Sequence, residues 1–283
     1  MNIGIVGATS YVAKGLICNF IDNPNYNLIL LARSPSCVSQ FLFDINCNKG
    51  CIVDSLDNFV NYKYDVIINC IGPKDLSPAT MYQLFSTAEK YDNLIIDYLQ
   101  KNTDALYINF SSGAIYGTNF TAPATATSKA VVSINDLQTS DYYGINKLYI
   151  EAKHRSLQQF NIVDIRLFSY FSKFVPQDSH YLLVQLINSV KYNTEFITSS
   201  ENIVRDFVHP NDLFSLIQCC IKTKYINNTI EIYSTKPTTK FELIEFFSSR
   251  YNLKYVIKDD AIIVNTTGFK EIYYTLNHSA AVI

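Results

Sequence analysis

The chain has 283 residues, 48% of them hydrophobic, with 23 basic and 25 acidic side chains for a formal net charge of -2. Length and apolar content suit one large folded domain with a smaller lobe and exclude a disordered chain, while the near-neutral balance excludes a broad nucleic-acid footprint. Seven scattered cysteines and four dispersed histidines offer no metal-ligand spacing, so no metal site is expected and the cysteines read as free thiols.

The first residues, Asn2-Ile3-Gly4-Ile5-Val6, form an apolar run that ends in Gly7 and opens into a segment with Val12, Leu16, Ile17 and Phe20 on one side. That is the pattern of a buried parallel strand feeding a helix. Such a turn places unpaired backbone N–H groups and the positive end of the helix dipole together, which is a pyrophosphate site. Gly7 supplies the tight turn, Ser10 takes the place where glycine usually lets the backbone approach phosphate, and Ala13 permits close helix packing. Thr9, Tyr11 and Val12 complete the expected cofactor-binding turn. No signal-peptide pattern precedes the strand and no apolar run reaches bilayer length, so a cytosolic protein without membrane contact is expected.

Asn27 to Leu31 reads as a second strand, ending in Ala32-Arg33-Ser34. An acidic residue there would bind the 2'-hydroxyl of NAD, whereas a basic one suits the 2'-phosphate of NADP. Arg33 with Ser34 therefore favours NADP(H), with NAD(H) as the alternative. Gln40 to Ile45 is expected as a third strand and Ser55 to Asn61 as a short helix. Asp65 to Ile71 is a fourth buried strand, whose end at Cys70-Ile71-Gly72 is placed against the cofactor. Met81 to Gln100 reads as a long helix and Ala105 to Phe110 as a fifth strand. This alternation predicts an α/β fold, a Rossmann-like doubly wound parallel sheet.

The fifth strand runs into Ser111-Ser112-Gly113-Ala114-Ile115-Tyr116-Gly117, where hydroxyls stand at a strand's carboxyl end, the ligand side of such sheets. Tyr142-Tyr143-Gly144-Ile145-Asn146-Lys147 then opens a helix with Tyr143 and Lys147 four residues apart on one face. A tyrosine titrates near pH 10, so holding its phenolate at neutral pH requires roughly 4 kcal/mol of differential stabilisation. A nearby lysine ammonium and a cationic nicotinamide supply it. Lys147 can also bind the cofactor ribose, and Ser112 can hold the substrate oxygen beside the phenol.

Asn161 to Phe168 reads as a sixth strand, His180 to Lys191 as a helix, 230 to 235 as a strand and 239 to 249 as a helix. The expected cofactor domain comprises residues 1–168 with about 212–235. The expected substrate lobe comprises 169–211 with about 236–283, as a small discontinuous C-terminal unit.

Together these pieces resemble the extended short-chain dehydrogenase/reductase family, in the group of NAD(P)-dependent sugar-nucleotide epimerases, dehydratases and reductases. The resemblance rests on Gly7 to Ala13, Ser111 to Gly117, Tyr143 to Lys147, Arg166-Leu167-Phe168 and Arg205-Asp206-Phe207-Val208-His209-Pro210-Asn211-Asp212-Leu213. It implies Ser112, Tyr143 and Lys147 as catalytic residues, Arg205 as a contact to the substrate diphosphate and Asp206 as a loop-holding residue. It also implies a nucleotide-sugar substrate, with a homodimer as an option. Ser169 stands where relatives usually have asparagine. His209 replaces a more usual tyrosine, with a structural role favoured over a general base. Gly113 and Ala114 stand where 4,6-dehydratases carry an Asp-Glu pair, which argues against dehydration. The expected activity is NADPH-dependent reduction of a nucleotide-linked keto-sugar, a 4-keto-6-deoxyhexose, in deoxysugar or surface-polysaccharide precursor synthesis. A sugar-nucleotide epimerase is the alternative, and a non-catalytic regulatory dinucleotide-binding protein is the rival from another class.

Overall fold

The computed structural model describes residues 1–47, 49–73, 80–118, 120–258 and 270–277. Parts of the expected substrate lobe, 259–269 and 278–283, lie outside the described residues. Seven strands form one parallel sheet: β1 (Asn2–Val6), β2 (Asn27–Ala32), β3 (Ile52–Ser55), β4 (Val66–Asn69), β5 (Leu106–Ser112), β6 (Asn161–Leu167) and β11 (Asn227–Ile232). Their order is β11-β6-β5-β4-β1-β2-β3. The order reverses at β1, which lies between β2 and β4, so the crevice at the carboxyl ends of β1 and β4 is where this topology binds ligands.

Both faces of the sheet are covered, and the strands are therefore apolar at successive positions. Ile3, Ile5, Leu28, Leu30 and Ile68 point to one core, shared with Leu16, Ile17 and Phe20 of α1 (Tyr11–Ile21) and with Leu213 and Ile217 of α6 (Pro210–Lys222). Ile29, Leu31, Ile67 and Tyr107 point to the other, which they share with Tyr91, Ile95 and Leu99 of α3 (Met81–Leu99). Each such side chain contributes roughly 1.5–3 kcal/mol by leaving water, so the alternation locks the register of every strand.

One expected element is corrected. Gln40 to Ile45 belongs to α2 (Pro35–Asp44), a helix and not the third strand. Pro35 sits at its first turn, where the missing N–H costs nothing, and Val38 and Phe41 are buried at helical spacing. The third strand is β3, whose residues Ile52–Ser55 pair with Ile29 to Ala32 at the sheet edge.

Beyond β6 the elements shorten. β7 (Ser169–Tyr170), α5 (Leu182–Lys191), β8 (Phe196–Thr198), β9 (Val204–Arg205) and β10 (Phe207–Val208) precede α6, and β12 (Thr238–Thr239), α7 (Lys240–Tyr251), β13 (Tyr255–Ile257) and β14 (Ile272–Tyr273) follow β11. Thr239 caps α7 reciprocally: its hydroxyl accepts from Glu242 N at 3.1 Å, and the Glu242 carboxylate accepts from Thr239 N at 2.7 Å. Asp206 accepts from Ser234 N with both oxygens at 3.0 Å, and His209 caps α6 by accepting from Asn211 N at 3.2 Å. Both residues thus hold backbone.

α4 (Tyr142–Ser156) carries a buried ionic network at its far end. His154 lies 2.9 Å from Asp164 through Nδ1 and 2.8 Å from Asp92 through Nε2. Arg155 donates to Asp164 and Lys153 to Asp92, each at 2.8 Å. Tyr107 donates to Asp92 at 2.9 Å, Asn69 donates to Tyr107 at 3.0 Å, and the Asn69 carbonyl accepts from Ile71 N at 3.0 Å. This chain of bonds ties the helix that bears Tyr143 and Lys147 to the loop leaving β4.

Candidate active site

The turn after β1 gathers backbone N–H groups at the start of α1. Gly7 has φ +80°, a conformation that glycine adopts without strain. Gly7 N and Ala8 N both donate to Leu31 O, at 2.9 and 3.0 Å. Ser10 turns its hydroxyl inward, accepting from Ala13 N at 3.1 Å as the cap of α1. The N–H groups of Thr9, Tyr11 and Val12 meet no acceptor among the described residues. Orphan donors at a helix N-terminus fit the diphosphate of a dinucleotide, and Thr9 is exposed to receive one. Cys70, at the end of β4, donates its N–H to Val6 O at 2.8 Å; its thiol is buried and pushed well up by that burial. Ile71 packs against Gly7, and among the described residues nothing lies within 4 Å of a Cβ placed on Gly72. Arg33 and Ser34 are exposed at the end of β2, on the edge of the same crevice. Asp54 of β3, in register with Leu31, is a neighbouring carboxylate that sequence reasoning passed over.

Ser112 and Tyr143 meet because two backbones touch. A Cβ added to Gly144 would lie 2.2 Å from Ala114 O, so only glycine lets the first turn of α4 pack on the turn after β5. Ser112 Oγ accepts from Ala114 N at 3.2 Å and lies 3.1 Å from Tyr273 Oη. Tyr143 lies close to Ser112; burial, aided by the nearby Tyr181 hydroxyl, pushes its phenol up to about 12 against the lowering effect of the serine. Lys147 donates to Phe110 O at 2.7 Å, with its ammonium 5.9 Å from the Tyr143 ring centre. Burial holds the Lys147 pKa below its ordinary value, while Asp164, Glu151 and Asp92 pull it back up.

Three further groups close the site, and none was visible as a motif. Tyr181, just before α5, brings its ring 6.5 Å from that of Tyr11 and its hydroxyl near Tyr143, bridging the phosphate turn and the reaction centre. Tyr273 reaches Ser112 from β14. Lys270 lies with its ammonium 5.4 Å from the Tyr273 ring, and the Arg205 guanidinium lies 5.8 Å from the same ring. Arg205 donates to Val204 O at 2.8 Å, and burial lowers its pKa to about 10. Burial and then the Arg205 charge lower that of Lys270 to about 8. The Asp141 carboxylate pulls the Lys270 pKa back up in part. The structure thus brings together Ser112, Tyr143 and Lys147, with Arg205 joined through Tyr273.

The polar groups behind the serine are paired. Arg166 of β6 grips Glu151 of α4 through Nη2 at 2.6 Å and Glu231 of β11 through Nη1 at 2.9 Å. Ser111 donates to Glu151, Tyr116 to Glu231, and Thr275 to Glu231. Among the described residues no helix is long and apolar enough to cross a membrane.

Comparison with known proteins bears on the fold and the family. No curated protein matches the sequence. The fold is similar to a variant of UDP-glucuronic acid 4-epimerase from Bacillus cereus in complex with a fluorinated UDP-sugar and NAD, with TM-score 0.81 at 13% identity over 100% of this chain and 92% of that one. It is similar to UDP-N-acetylglucosamine 4-epimerase from Methanobrevibacter ruminantium, with TM-score 0.79 at 15% identity over 99% and 90%. It is also similar to dTDP-glucose 4,6-dehydratase from Bacillus anthracis in complex with NAD, with TM-score 0.76 at 13% identity over 100% and 89%. At these identities the likeness establishes the extended Rossmann-like fold. Residues 3–233 match the family model itself, and the chain belongs to the NAD dependent epimerase/dehydratase family.

Proposed function

We propose that the chain is a nucleotide-sugar 4-epimerase that moves a hydride at a hexose carbon with Ser112, Tyr143 and Lys147. The observation that carries this reading is the meeting of Ser112 with Tyr143, above Lys147, at the carboxyl end of β5. A nicotinamide cofactor, when bound, supplies the hydride acceptor and donor. The residues available to hold it are Gly7, Thr9, Ser10, Tyr11 and Val12 at its phosphates, Arg33 and Ser34 at its adenosine end, Cys70, Ile71 and Gly72 just after β4, and Tyr143 with Lys147 at the nicotinamide ribose.

In the cofactor-free chain Tyr143 holds its proton, with a pKa of about 12. Bringing that group to neutral pH needs about 7 kcal/mol of stabilisation, at 1.36 kcal/mol per unit. The Lys147 ammonium and the serine hydroxyl provide part of it. Tyr143 takes the proton of the sugar hydroxyl at Oη and returns it after the sugar has turned over, while Ser112 holds the sugar oxygen. Arg205 and Lys270 bind the diphosphate, their desolvation offset by its charge. Gly113 and Ala114 offer no acid and base for elimination, which speaks against the dehydratase branch. The likeness of the fold to two 4-epimerases supports the epimerase reading.

A second reading, an NADPH-dependent keto-sugar reductase, is favoured by the exposed Arg33 at the end of β2 and by the protonated state of Tyr143. Product analysis separates the two. Inversion of UDP-glucose or UDP-glucuronic acid without net cofactor loss supports the epimerase, whereas stoichiometric loss of NADPH on nucleotide-linked 4-keto-6-deoxyhexoses supports the reductase. Tyr143→Phe should lower either turnover by roughly 10²–10⁴-fold; turnover near that of the unmodified chain would overturn both.

A further inference from the structure

We propose that Tyr273 is a positioning residue of this site: its phenol donates to Ser112 Oγ and so turns the serine hydrogen toward Tyr143 and the substrate oxygen. The inference rests on the roles of Ser112 and Tyr143 proposed above.

The argument is a count of donors and acceptors. A serine hydroxyl has one hydrogen and two lone pairs. Ala114 N occupies one lone pair at 3.2 Å, and Tyr273 Oη stands at 3.1 Å, where either oxygen can be the donor. If Ser112 donates to Tyr273, its hydrogen points away from the reaction and Tyr143 receives nothing from it. If Tyr273 donates, both lone pairs are filled and the serine hydrogen is left for the Tyr143 oxygen or a sugar oxygen beside it. Only the second arrangement lets Ser112 stabilise a phenolate. Chained hydroxyls also polarise one another in the same direction.

Tyr273 is placed to do this permanently. It is 8% exposed, with its ring 5.0 Å from Phe120 and 5.1 Å from Phe168. Its backbone is fixed from two sides: Ile272 and Tyr273 pair with Val204 and Arg205, and Ile272 N donates to Phe120 O at 3.0 Å. Ala124 N donates to Tyr274 O at 2.9 Å, and Leu276 N donates to Ala124 O at 2.7 Å. Burial keeps the Tyr273 phenol protonated far above neutral pH, hence a donor. The same ring lies against Arg205 and Lys270, so one side chain joins these two cations to the serine.

The test follows the ionisation of Tyr143 and needs no turnover. Near-ultraviolet tyrosinate absorbance is titrated in protein saturated with NAD+, as the difference between each chain and its Tyr143→Phe counterpart. Tyr143 faces Lys147 on its own helix, Tyr11 from α1, Tyr181 from the segment before α5, and Ser112 with Tyr273; only the last two are altered. Tyr273→Phe keeps the ring and its packing and should raise the Tyr143 ionisation by about one pH unit, with NAD+ affinity unchanged. Ser112→Ala should raise it by at least as much. The double variant Ser112→Ala/Tyr273→Phe should move it no further than Ser112→Ala alone, because Tyr273 acts through the serine. An unchanged titration in Tyr273→Phe, or a shift that adds in full to that of Ser112→Ala, overturns the inference and leaves the catalytic roles standing. If NAD+ does not lower the Tyr143 ionisation in the unmodified chain, the roles of Tyr143 and Lys147 fall, and the inference with them.

Discussion

Raising the pH should remove stability from this protein through one residue, His154. Its ring is 0% exposed and has a carboxylate on each nitrogen. Only the imidazolium can donate from both nitrogens, so the structure selects the charged form. Burial opposes that charge, but the hydrogen bonds and charges of Asp164 and Asp92 outweigh it and hold the pKa at about 9, against an ordinary 6.5. The folded pKa is raised, so the contribution is complete below pH 6.5 and is lost as pH rises through about 9. A difference of about 2.5 units corresponds to roughly 3 kcal/mol, about a fifth or more of the stability of a typical domain. The assay is denaturant unfolding across that window for the unmodified chain and for His154→Gln. The variant should be less stable by about 3–5 kcal/mol at neutral pH, because two buried carboxylates lose a shared cation. The gap should then narrow by roughly 3 kcal/mol toward alkaline pH. Groups that titrate in both chains, such as the cysteines, cancel in the difference. Parallel stability curves would show that His154 does not carry the charge.

Gly144→Ala should cost about 1–3 kcal/mol through overpacking against Ala114 O, and it should weaken turnover more than cofactor binding; calorimetric unfolding together with NAD+ titration checks both. Lys270, 3% exposed with a pKa near 8, should make UDP affinity fall by up to about tenfold as pH rises through that value, since the neutral amine no longer makes a charge-assisted bond. Lys270→Met should abolish this pH dependence in calorimetric titrations. Arg33→Ala should raise the Kd for NADPH by roughly tenfold and leave that for NADH nearly unchanged; equal effects would show that Arg33 does not read the 2'-phosphate.

The large features were legible because their physics is local. β1, β2 and β4 read as nearly continuous apolar runs, β5 and β6 keep apolar side chains at most positions, and the Gly7 turn directly follows the first strand. Tyr143 and Lys147 are one helical turn apart, so their shared face needs no tertiary knowledge. β3 was missed for the opposite reason: it is a four-residue edge strand with its first side chain exposed, and the more apolar helix before it drew the assignment. The His154 network was invisible because Asp92 lies 62 residues away on another helix, and a lone histidine near a helix end has no pattern. Tyr273 and Lys270 stand in a segment with no catalytic cluster of its own. Their place depends on the pairing of β14 with β9, which short strands do not announce.

The bond between Tyr273 and Ser112 spans 161 positions of the chain. In synthesis from the N-terminus, β1 to β6, β11 and the helix bearing Tyr143 all leave the ribosome before β14 exists. A nascent chain at that stage has its sheet and its glycine turn, yet Ser112 lacks the Tyr273 phenol and the loop around Phe120 and Ala124 has no strand to bind. The order of synthesis therefore delays completion of the hydroxyl array around Ser112 until after the seven-stranded sheet can fold.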